Sequence, residues 1–561
     1  MWCFSSGPNV PAIRTKVWSN VSYFTVLGCR HYSRSVQPSS AVRVRFAPSP
    51  TGGLHLGGLR TALFNFLLAK RTGGTFILRI EDTDKARCIP GAVESMISTL
   101  SWAGLDYDEG PGKNMHYGSC YQSERIEIYK HYIDRLLKDG NAYRCFCSPE
   151  RLHQVRTLAQ KNGKGVAYDR HCLYLSQSEI DENLSQGVPF TIRLKMPDGI
   201  VTVRDLVYGN VEFNEKHIDD AILLKSDGYP TYHLANVIDD HLMGITHVLR
   251  GEEWLPSTPK HVVLYKTLNW SMPEFVHLPL LLNPDKSKLS KRSGDVKVED
   301  FAKKGYLPEA LINFVALLGW SPPGSRNDVF TLSELISKVF VYQGFKISVW
   351  RRLILSQFSL DHVGRSGGIV SHDKLDFLNK HHIFIKSESP QGLTQLVSML
   401  KPLVEGKYRK CLELTNEDYK LEDGYLALVI KTIIKRIQNI HDIPELCGYF
   451  FVDPDYSSSE SMEVRTEISN DSLKSVASIA LEQIKALDEI EFEEDKIKEI
   501  VHSVVTSTGI KKPKVMTIMR YIFTGIKIGA GVAGTMKTIG KEASLRRINK
   551  VLESFDSNIK A

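Results

Sequence analysis

The sequence predicts an α/β protein with a parallel sheet, followed by a long all-α region. Three observations lead to this prediction: a strand, glycine-rich turn, helix and strand over residues 42–81, a second such unit over residues 221–249, and amphipathic helical patterns toward the carboxyl end. Two parallel strands need a crossover such as a helix, and ligands bind beyond the carboxyl ends of such strands. We therefore expect a ligand site where these turns meet.

The first unit is defined by a change of period. Apolar and arginine side chains alternate over residues 42–46, as in a β-strand. Prolines and glycines from residue 48 to residue 53 then exclude regular structure. Apolar side chains at helical spacing follow until Gly73, and the apolar run 76–80 closes the unit.

Polar side chains of this unit, Arg45, His55 and Glu81, fall at the same end of the predicted sheet. Gly57 and Gly58 let a ligand approach the backbone, and the helix behind them offers free N–H groups at its positive dipole end. For the tetrapeptide of residues 55–58 alone, a packing turn would be the preferred interpretation. Its surroundings favour a phosphate site, to which the imidazole can donate.

The second unit supplies another wall for the same pocket. An apolar strand precedes the turn dipeptide Asp227-Gly228, and a helix and a further strand follow. The polar residues of that helix and at the end of that strand are Tyr232, His233, Asn236 and Arg250. In isolation these residues would be ordinary surface groups, but a strand terminus favours a site.

A basic run follows the next predicted strand, residues 275–282. It reads Lys288-Leu289-Ser290-Lys291-Arg292. Such a run is usually a solvated surface segment. After the last strand of a nucleotide-binding fold, it is instead expected to be a mobile phosphate clamp.

The carboxyl-terminal region predicts a helical bundle. One apolar stripe consists of Leu426, Val429, Ile433, Ile437 and Ile440, and a second of Leu473, Val476, Ala480, Ile484 and Leu487. Gly529, Gly531 and Gly534 satisfy GxGxxG, but too little chain follows for the βαβ unit of a dinucleotide site. We therefore expect no dinucleotide site there.

Composition limits the classes of protein. The 561 residues are enough for roughly three to five domains. A formal net charge of +7 permits a polyanionic partner without requiring one. Nine scattered cysteines favour a reducing compartment over a disulfide framework. No run approaches the roughly 18 apolar residues of a spanning helix, so we expect no membrane partner.

Residues 1–40 are typical of a mitochondrial transit peptide, because basic residues, serines and apolar residues are interspersed without any acidic residue. A secretory signal is one alternative, since residues 26–29 look like a lipoprotein cleavage site, but polar residues interrupt its apolar run. A cytosolic start is the other. We expect the mitochondrial matrix.

Asp82 and Asp84 invite a metal or acid–base interpretation. We favour a structural one, in which they cap a helix or pair with Arg79, Lys85 and Arg87 nearby. The prediction is therefore that the site has no protein-held metal.

The stretches RFAPSPTGGLHLGGLRTALFN and LRIEDTD, the run Ala221–Trp254 and the KLSKR segment closely resemble the class I glutamyl-tRNA synthetases. HLGG takes the place of that family's HIGH motif, and KLSKR that of KMSKS. The resemblance implies a Rossmann-like catalytic domain with an α+β acceptor-binding insertion, followed by an all-α anticodon-binding region. After the transit peptide predicted from composition (1–40), the implied boundaries are 41–123 and 228–283 (the two halves of the catalytic domain), 124–227 (insertion), 284–365 (KLSKR loop and stem-contact region) and 366–561 (anticodon-binding region).

The resemblance also implies a reaction and its residues. Glutamate is activated by ATP with Mg²⁺ and transferred to tRNA, with His55 and Lys291 as the catalytic residues. The implied glutamate-binding residues are Arg45, Ala47, Ser49, Glu81, Tyr232, Asn236 and Arg250. The implied ATP-binding residues are His55, Gly57, Gly58, Glu253, Trp254, Lys288, Leu289, Ser290, Lys291 and Arg292.

Zinc is a further question within the implied insertion. Cys145, Cys147 and Cys172 could supply most of a tetrahedral site. Some bacterial relatives carry a fourth ligand two residues after the third cysteine, where this chain has Tyr174. We expect that zinc binding has been lost rather than that the ligand set has changed.

The expected partners are tRNA-Glu and also tRNA-Gln, which organellar members of the family often charge as well, and the expected state is a monomer. A synthetase restricted to tRNA-Glu remains open. Glutaminyl-tRNA synthetases differ in their proline pattern and end in β-barrels, and a truncated paralogue that modifies a tRNA base would lack the helical region. A non-catalytic RNA-binding relative is disfavoured by the intact His55, Lys291 and Arg45.

Overall fold

The structure is a computed structural model that describes residues 41–113, 116–163, 168–214, 218–289, 297–321, 328–337 and 360–557. The predicted transit peptide and the phosphate-clamp residues Ser290, Lys291 and Arg292 lie outside the described residues. Within these ranges, no helix combines the length and the apolar character that crossing a membrane requires.

The strands of the described residues are β1 (Arg43–Phe46), β2 (Thr75–Leu78), β3 (Ala142–Cys145), β4 (Thr191–Leu194), β5 (Ile200–Asp205), β6 (Gly209–Asn214), β7 (Ile222–Leu224), β8 (His247–Gly251), β9 (Glu274–Leu278), β10 (Leu281–Leu282) and β11 (Gly368–Ile369). The α-helices of the same residues are α1 (Leu56–Thr72), α2 (Ala92–Trp102), α3 (Ile126–Lys138), α4 (Pro149–Lys161), α5 (Gln177–Ser185), α6 (Tyr232–Leu242), α7 (Thr258–Thr267), α8 (Val298–Lys303), α9 (Pro308–Leu317), α10 (Leu332–Ile336), α11 (His372–Ser387), α12 (Pro390–Thr415), α13 (Asp423–Ile433), α14 (Ile443–Leu446), α15 (Ser459–Thr466), α16 (Asn470–Ala486), α17 (Glu494–Thr508), α18 (Lys512–Thr524) and α19 (Val532–Ser557).

The first predicted unit is confirmed as a parallel βαβ unit. β1 pairs with β2 in parallel, with Arg45 opposite Ile77, and α1 is the crossover between them. The helix ends at Gly73, which adopts a left-handed conformation with φ of 66° and donates its N–H to carbonyl groups of the last turn. The carboxyl end of β1 therefore faces the amino end of α1.

The second unit continues this arrangement. β8 runs parallel to β9, and β1 approaches β8 through the Thr246 N–H, which donates to the Arg43 carbonyl at 2.9 Å. β5 pairs with β9 at one position, Asp205 opposite Phe275, and forms an antiparallel hairpin with β6. A hairpin from the predicted insertion thus extends the sheet of the second catalytic half.

The strand predicted over residues 275–282 is interrupted. It forms β9, which ends at Leu278, and the short β10, which begins at Leu281. Pro279 separates them because it has no N–H for a ladder hydrogen bond. The remainder of the predicted insertion contains a separate antiparallel sheet in the order β3, β4, β7.

The carboxyl-terminal region is helical, as predicted, and α12 to α19 share one apolar core. The first predicted stripe is not a single helix, since α13 ends at Ile433. Ile437 and Ile440 are buried in the same core but lie beyond its end. Gly534 lies inside α19, so GxGxxG is not the turn of a βαβ unit.

Candidate functional site

A cavity of about 620 Å³ lies beyond the carboxyl ends of β1 and β8 and in front of α1. Every candidate glutamate- or ATP-binding residue that the structure describes lines this one cavity, whereas His233 does not. These residues are Arg45, Ala47, Ser49, His55, Gly57, Gly58, Glu81, Tyr232, Asn236, Arg250, Glu253, Trp254, Lys288 and Leu289. The two sequence units therefore form two walls of a single pocket.

His55 is the N-cap of α1. Its Nδ1 accepts a hydrogen bond from the Gly58 N–H at 3.1 Å. A neutral imidazole with an accepting Nδ1 carries its proton on Nε2. The exposed ring can therefore donate from Nε2 to an anion in the cavity, while its other nitrogen holds the first turn of the helix.

Gly57 and Gly58 belong to the first turn of α1 rather than to a loop before it. A Cβ at Gly57 would lie 3.3 Å from the His55 Nδ1, and a Cβ at Gly58 would lie 2.8 Å from the Leu54 Cδ1. Glycine at these positions keeps the imidazole and the preceding turn in place. The helix N-terminus then presents N–H groups and a positive dipole to a ligand.

Arg45 is buried and forms a bidentate pair with Asp240 of α6. Its Nε and Nη2 donate to the two carboxylate oxygens at 2.9 and 3.2 Å, and its Nη1 lies 3.5 Å from the Leu249 carbonyl. Arg79 donates to the same carboxylate at 2.7 Å. Burial alone raises the pKa of Asp240, but the two guanidinium groups outweigh it and hold that pKa below the ordinary value.

Glu81 lies beside this cluster with its carboxylate almost fully buried. Its Oε1 accepts from the Asn236 amide at 3.1 Å and from Arg79 at 3.5 Å. Burial raises the pKa of Glu81 above its ordinary value, although Arg79 and Arg45 oppose this effect. A cationic group entering the cavity would stabilise the ionised carboxylate.

Arg250, at the end of β8, is held from several sides. Its Nη1 donates to the Tyr232 hydroxyl at 3.0 Å and its Nη2 to the Thr258 hydroxyl at 2.8 Å. The Tyr232 ring packs on Trp254 with centroids 4.2 Å apart. The aromatic pair thus forms an apolar wall next to a fixed guanidinium.

Lys288 and Leu289 reach the cavity from the opposite side. The Leu289 N–H donates to the Leu281 carbonyl at 2.9 Å, and Lys288 pairs with Leu282 as an isolated bridge. These two residues start the predicted phosphate clamp, whose remaining members are not among the described residues.

Asp82 and Asp84 have structural partners. The Asp84 carboxylate pairs with Arg87 at 2.6 Å, as predicted. Asp82 instead accepts from the Ser123 N–H and hydroxyl at 2.8 and 2.7 Å. Arg79, expected near these aspartates, points to Asp240 and Glu81 because it is buried in the sheet.

Three groups of functional interest were not identified from the sequence: Asp240 with Arg79, the residues His261 and His277 that contact Arg250, and Arg60. The Arg60 side chain is buried against the cavity and donates to the carbonyls of Leu318 and Pro279. Burial lowers its pKa to about 10, although Glu253 and Glu252 oppose this shift. A charged residue within an apolar period was the available signal, but its partners lie far away along the chain.

The three cysteines of the predicted insertion lie together, with their sulfur atoms within 4.8 Å of one another. The Tyr168 hydroxyl is 3.2 Å from the Cys145 Sγ, whereas Tyr174 is 78% exposed. This geometry does not by itself indicate zinc. The expected loss of zinc binding stays a prediction.

Chemically, the cavity combines a helix N-terminus with a donor imidazole at one side and buried guanidinium groups with a carboxylate at the other. The first side suits phosphate groups, and the second suits a small molecule that carries both negative and positive charge.

Comparison with known proteins gives two family matches. Residues 41–351 match the model described as "tRNA synthetases class I (E and Q), catalytic domain", and residues 395–552 match "Anticodon binding domain". The chain is 41% identical over 524 residues to a glutamate–tRNA ligase of Chloroherpeton thalassium, covering 92% of this chain and 98% of the relative. It is 42% identical over 520 residues to that of Chlorobaculum parvum, covering 91% and 98%.

Solved structures similar to this chain are also glutamate–tRNA ligases. A glutamate tRNA ligase from Elizabethkingia meningosepticum, in complex with its amino acid, superimposes with a TM-score of 0.76 at 35% identity, covering 92% of this chain and 99% of that one. The glutamate-tRNA synthetase of Elizabethkingia anophelis gives a TM-score of 0.74 at 34% identity, covering 92% and 100%.

Proposed function

The chain belongs to the bacterial-type glutamate–tRNA ligases of the class I aminoacyl-tRNA synthetases, and we propose that it charges both tRNA-Glu and tRNA-Gln with glutamate in mitochondrial translation. As a member of this family it is an ATP-dependent ligase whose partners are glutamate, ATP and tRNA-Glu. The observation that carries the residue assignments is the convergence of all described glutamate- and ATP-binding candidates on one cavity.

Glutamate is selected by the buried guanidinium groups. Arg45 and Arg250 face its carboxylates, and Glu81 takes the α-ammonium group. Arg45 uses three of its five N–H groups on Asp240 and the Leu249 carbonyl, which leaves donors for a ligand. Glutamine in this pocket would leave a buried guanidinium without its carboxylate, at a cost of about 1–3 kcal/mol.

Activation is a displacement at phosphorus. A glutamate carboxylate oxygen attacks the α-phosphorus of ATP, the bond to the β-phosphate oxygen breaks, and pyrophosphate leaves. This reaction depends on alignment and charge neutralisation more than on a strong base. His55 donates to the phosphate from Nε2, and Gly57 and Gly58 admit it to the amino end of α1.

Lys288 and Lys291 neutralise the remaining negative charge of the triphosphate. Mg²⁺ would be held chiefly by the phosphate oxygens. When bound, the ion neutralises charge on the triphosphate.

In the second step the terminal 2′-hydroxyl of tRNA attacks the acyl carbon, and AMP leaves. Trp254 and Glu253 lie on the cavity wall at which the nucleotide is expected.

The mitochondrial assignment rests on the composition of residues 1–40, and the assignment of tRNA-Gln rests on that location. Full-length protein fused to a fluorescent protein at its carboxyl end tests the mitochondrial assignment. Residues 1–40 should be required for mitochondrial localisation in cells, and a cytosolic signal from the full-length fusion would contradict the proposal.

Aminoacylation with radiolabelled glutamate tests the assignment of tRNA-Gln, with mitochondrial tRNA-Glu and tRNA-Gln assayed separately. We expect charging of both. Charging of tRNA-Glu alone would establish a discriminating enzyme. Lys291→Ala serves as the control, because a variant as active as the wild type would contradict the phosphate clamp.

A further inference from the structure

The guanidinium of Arg250 is surrounded by hydrogen-bond acceptors that the proposed function does not use. Besides Tyr232 and Thr258, its Nε donates to the His277 Nε2 at 3.1 Å, and its Nη1 lies 3.2 Å from the His261 Nδ1. Arg250 is 5% exposed and both imidazoles are almost completely buried. Four of its five N–H groups thus have acceptors within the protein.

These contacts determine where the His277 proton lies. Arginine can only donate, so the Nε2 of His277 must be an unprotonated acceptor. The ring proton then lies on Nδ1, which is 2.7 Å from the buried Asp205 Oδ2. A carboxylate is the partner that stabilises this tautomer. Burial lowers the pKa of His277, opposed by Asp205, which agrees with a neutral ring.

The same reasoning applies on the other side of Arg250. The His261 Nδ1 accepts from the arginine, so its Nε2 carries the proton and donates to the His233 Nδ1 at 3.1 Å. Burial lowers the pKa of both rings, that of His233 to about 4. Arg250 is therefore flanked by two neutral imidazoles in defined tautomers.

Asp205 comes from a different part of the chain. It ends β5 of the predicted insertion, and its Oδ1 accepts the N–H groups of Val207 and Tyr208, both at 2.9 Å. Its Oδ2 accepts the backbone N–H of His277 at 3.1 Å in addition to the ring N–H. One carboxylate thus holds both the turn of the β5–β6 hairpin and the imidazole behind Arg250.

We propose that Asp205 and His277 are positioning residues that orient Arg250 for glutamate, so that the hairpin of the insertion sets amino-acid selection in the catalytic pocket. The inference rests on the proposed role of Arg250 as a carboxylate-binding residue. Asp205 and His277 act through that arginine and touch no reacting atom. We call this chain of hydrogen bonds, from Asp205 through His277 to Arg250, the relay. It needs the Nε2 of His277 as a hydrogen-bond acceptor for Arg250 and the Oδ2 of Asp205 as an acceptor for the Nδ1–H of His277.

The test is steady-state aminoacylation of tRNA-Glu by full-length variants, with the KM for glutamate, the KM for ATP and kcat measured separately. His277→Phe removes the acceptor and should raise the KM for glutamate by about ten- to a hundredfold, because the guanidinium loses its orientation. The KM for ATP should stay within about twofold of the wild type, because the ATP-binding residues keep their partners. His277→Gln keeps an acceptor oxygen near the Nε2 position and should recover most of this loss.

Asp205→Asn can donate to the ring nitrogen and so favours the wrong tautomer. It should raise the KM for glutamate and weaken discrimination against glutamine. His247→Gln is the matched control, because His247 lies at the other end of the same strand pair, opposite Glu274. Equal KM values for glutamate in His277→Phe, His277→Gln and the wild type, with thermal unfolding confirming folded protein, would overturn the relay.

Arg250→Lys separates this inference from the proposed function. If Arg250→Lys raises the KM for glutamate and the His277 variants do not, the relay fails while the carboxylate-binding role stands. If Arg250→Lys also leaves that KM unchanged, the proposed role of Arg250 fails, and the relay fails with it.

Discussion

At the residue scale, Asp240 is the clearest case of a side chain whose importance depends on its partners. It is 1% exposed and accepts hydrogen bonds from both Arg45 and Arg79. Removing one partner of a buried ion pair leaves an uncompensated charge, which costs far more than breaking an exposed pair. The acidic residue itself is as essential to the pocket as the arginines that line it.

Asp240→Asn should therefore lower the free energy of unfolding by about 3–5 kcal/mol. Asp84→Asn, which breaks the exposed pair with Arg87, should cost at most about 1 kcal/mol. Urea unfolding followed by circular dichroism measures both. A similar loss in the two variants would contradict the description of Asp240 as the centre of a buried network.

His55 combines two roles that substitution can separate. His55→Asn keeps an acceptor for the Gly58 N–H but loses the Nε2 donor. We expect unchanged stability and a kcat lower by about a hundredfold, because a phosphate-stabilising donor is lost. His55→Ala should lose the cap as well, with about 1 kcal/mol of stability. Wild-type kcat in His55→Asn would restrict His55 to helix capping.

At the scale of elements, the junction between α1 and β2 shows why two successive glycines are needed. Gly73 supplies the left-handed conformation that ends the helix. Gly74 has a different task, because a Cβ there would lie 2.0 Å from the Val42 carbonyl oxygen. One glycine therefore permits a backbone angle and the next permits the close approach of β1.

Gly74→Ala should destabilise the protein by more than Gly73→Ala. Gly73→Ala costs about 1–2 kcal/mol, because an L-residue there must adopt a positive φ. Gly74→Ala needs no such angle, but its Cβ would force β1 away from β2. Unfolding free energies of the two variants measure the difference. A smaller loss for Gly74→Ala would show that the strand pair can move without cost.

At the scale of the whole molecule, buried histidines make stability depend on pH. His382 of α11 is 3% exposed and lies 3.0 Å from the Asn313 Oδ1 of α9. Burial lowers its pKa from 6.5 to about 4, with Glu309 and Glu334 opposing. The same cause brings the pKa of His241, stacked on Trp270, to about 4.

At these two histidines, the unfolded chain therefore binds more protons than the folded protein between about pH 4 and pH 6.5. Stability from these residues is fully present above pH 6.5 and is lost as the pH falls toward 4. We expect the melting temperature to decrease as the pH is lowered from 6.5 to 4. His382→Gln should show a shallower decrease, and an unchanged slope would contradict the buried neutral state of this ring.

Local elements and candidate residues could be predicted from the sequence, because period, glycines and motif spacing are properties of neighbouring residues. The sequence predicted the first βαβ unit and the helical carboxyl-terminal region, and the family resemblance named fourteen of the residues that line the cavity. It did not predict the break at Pro279 within an apolar run, or the end of α13 at Ile433. Apolar residues recur at helical spacing wherever the chain remains in contact with the core. The spacing therefore continues even where the helix has already ended.

Which charged side chains meet depends on tertiary packing. Arg45 and Asp240 are 195 positions apart along the chain, and Asp205 and His277 are 72 apart. No local pattern marks such a pair, since a buried carboxylate is stabilised by whichever donors the packed strands bring to it. Family resemblance assigned the residues that we propose contact the substrate. The packing of the insertion against the catalytic sheet brings Asp205 to His277, and through it to Arg250.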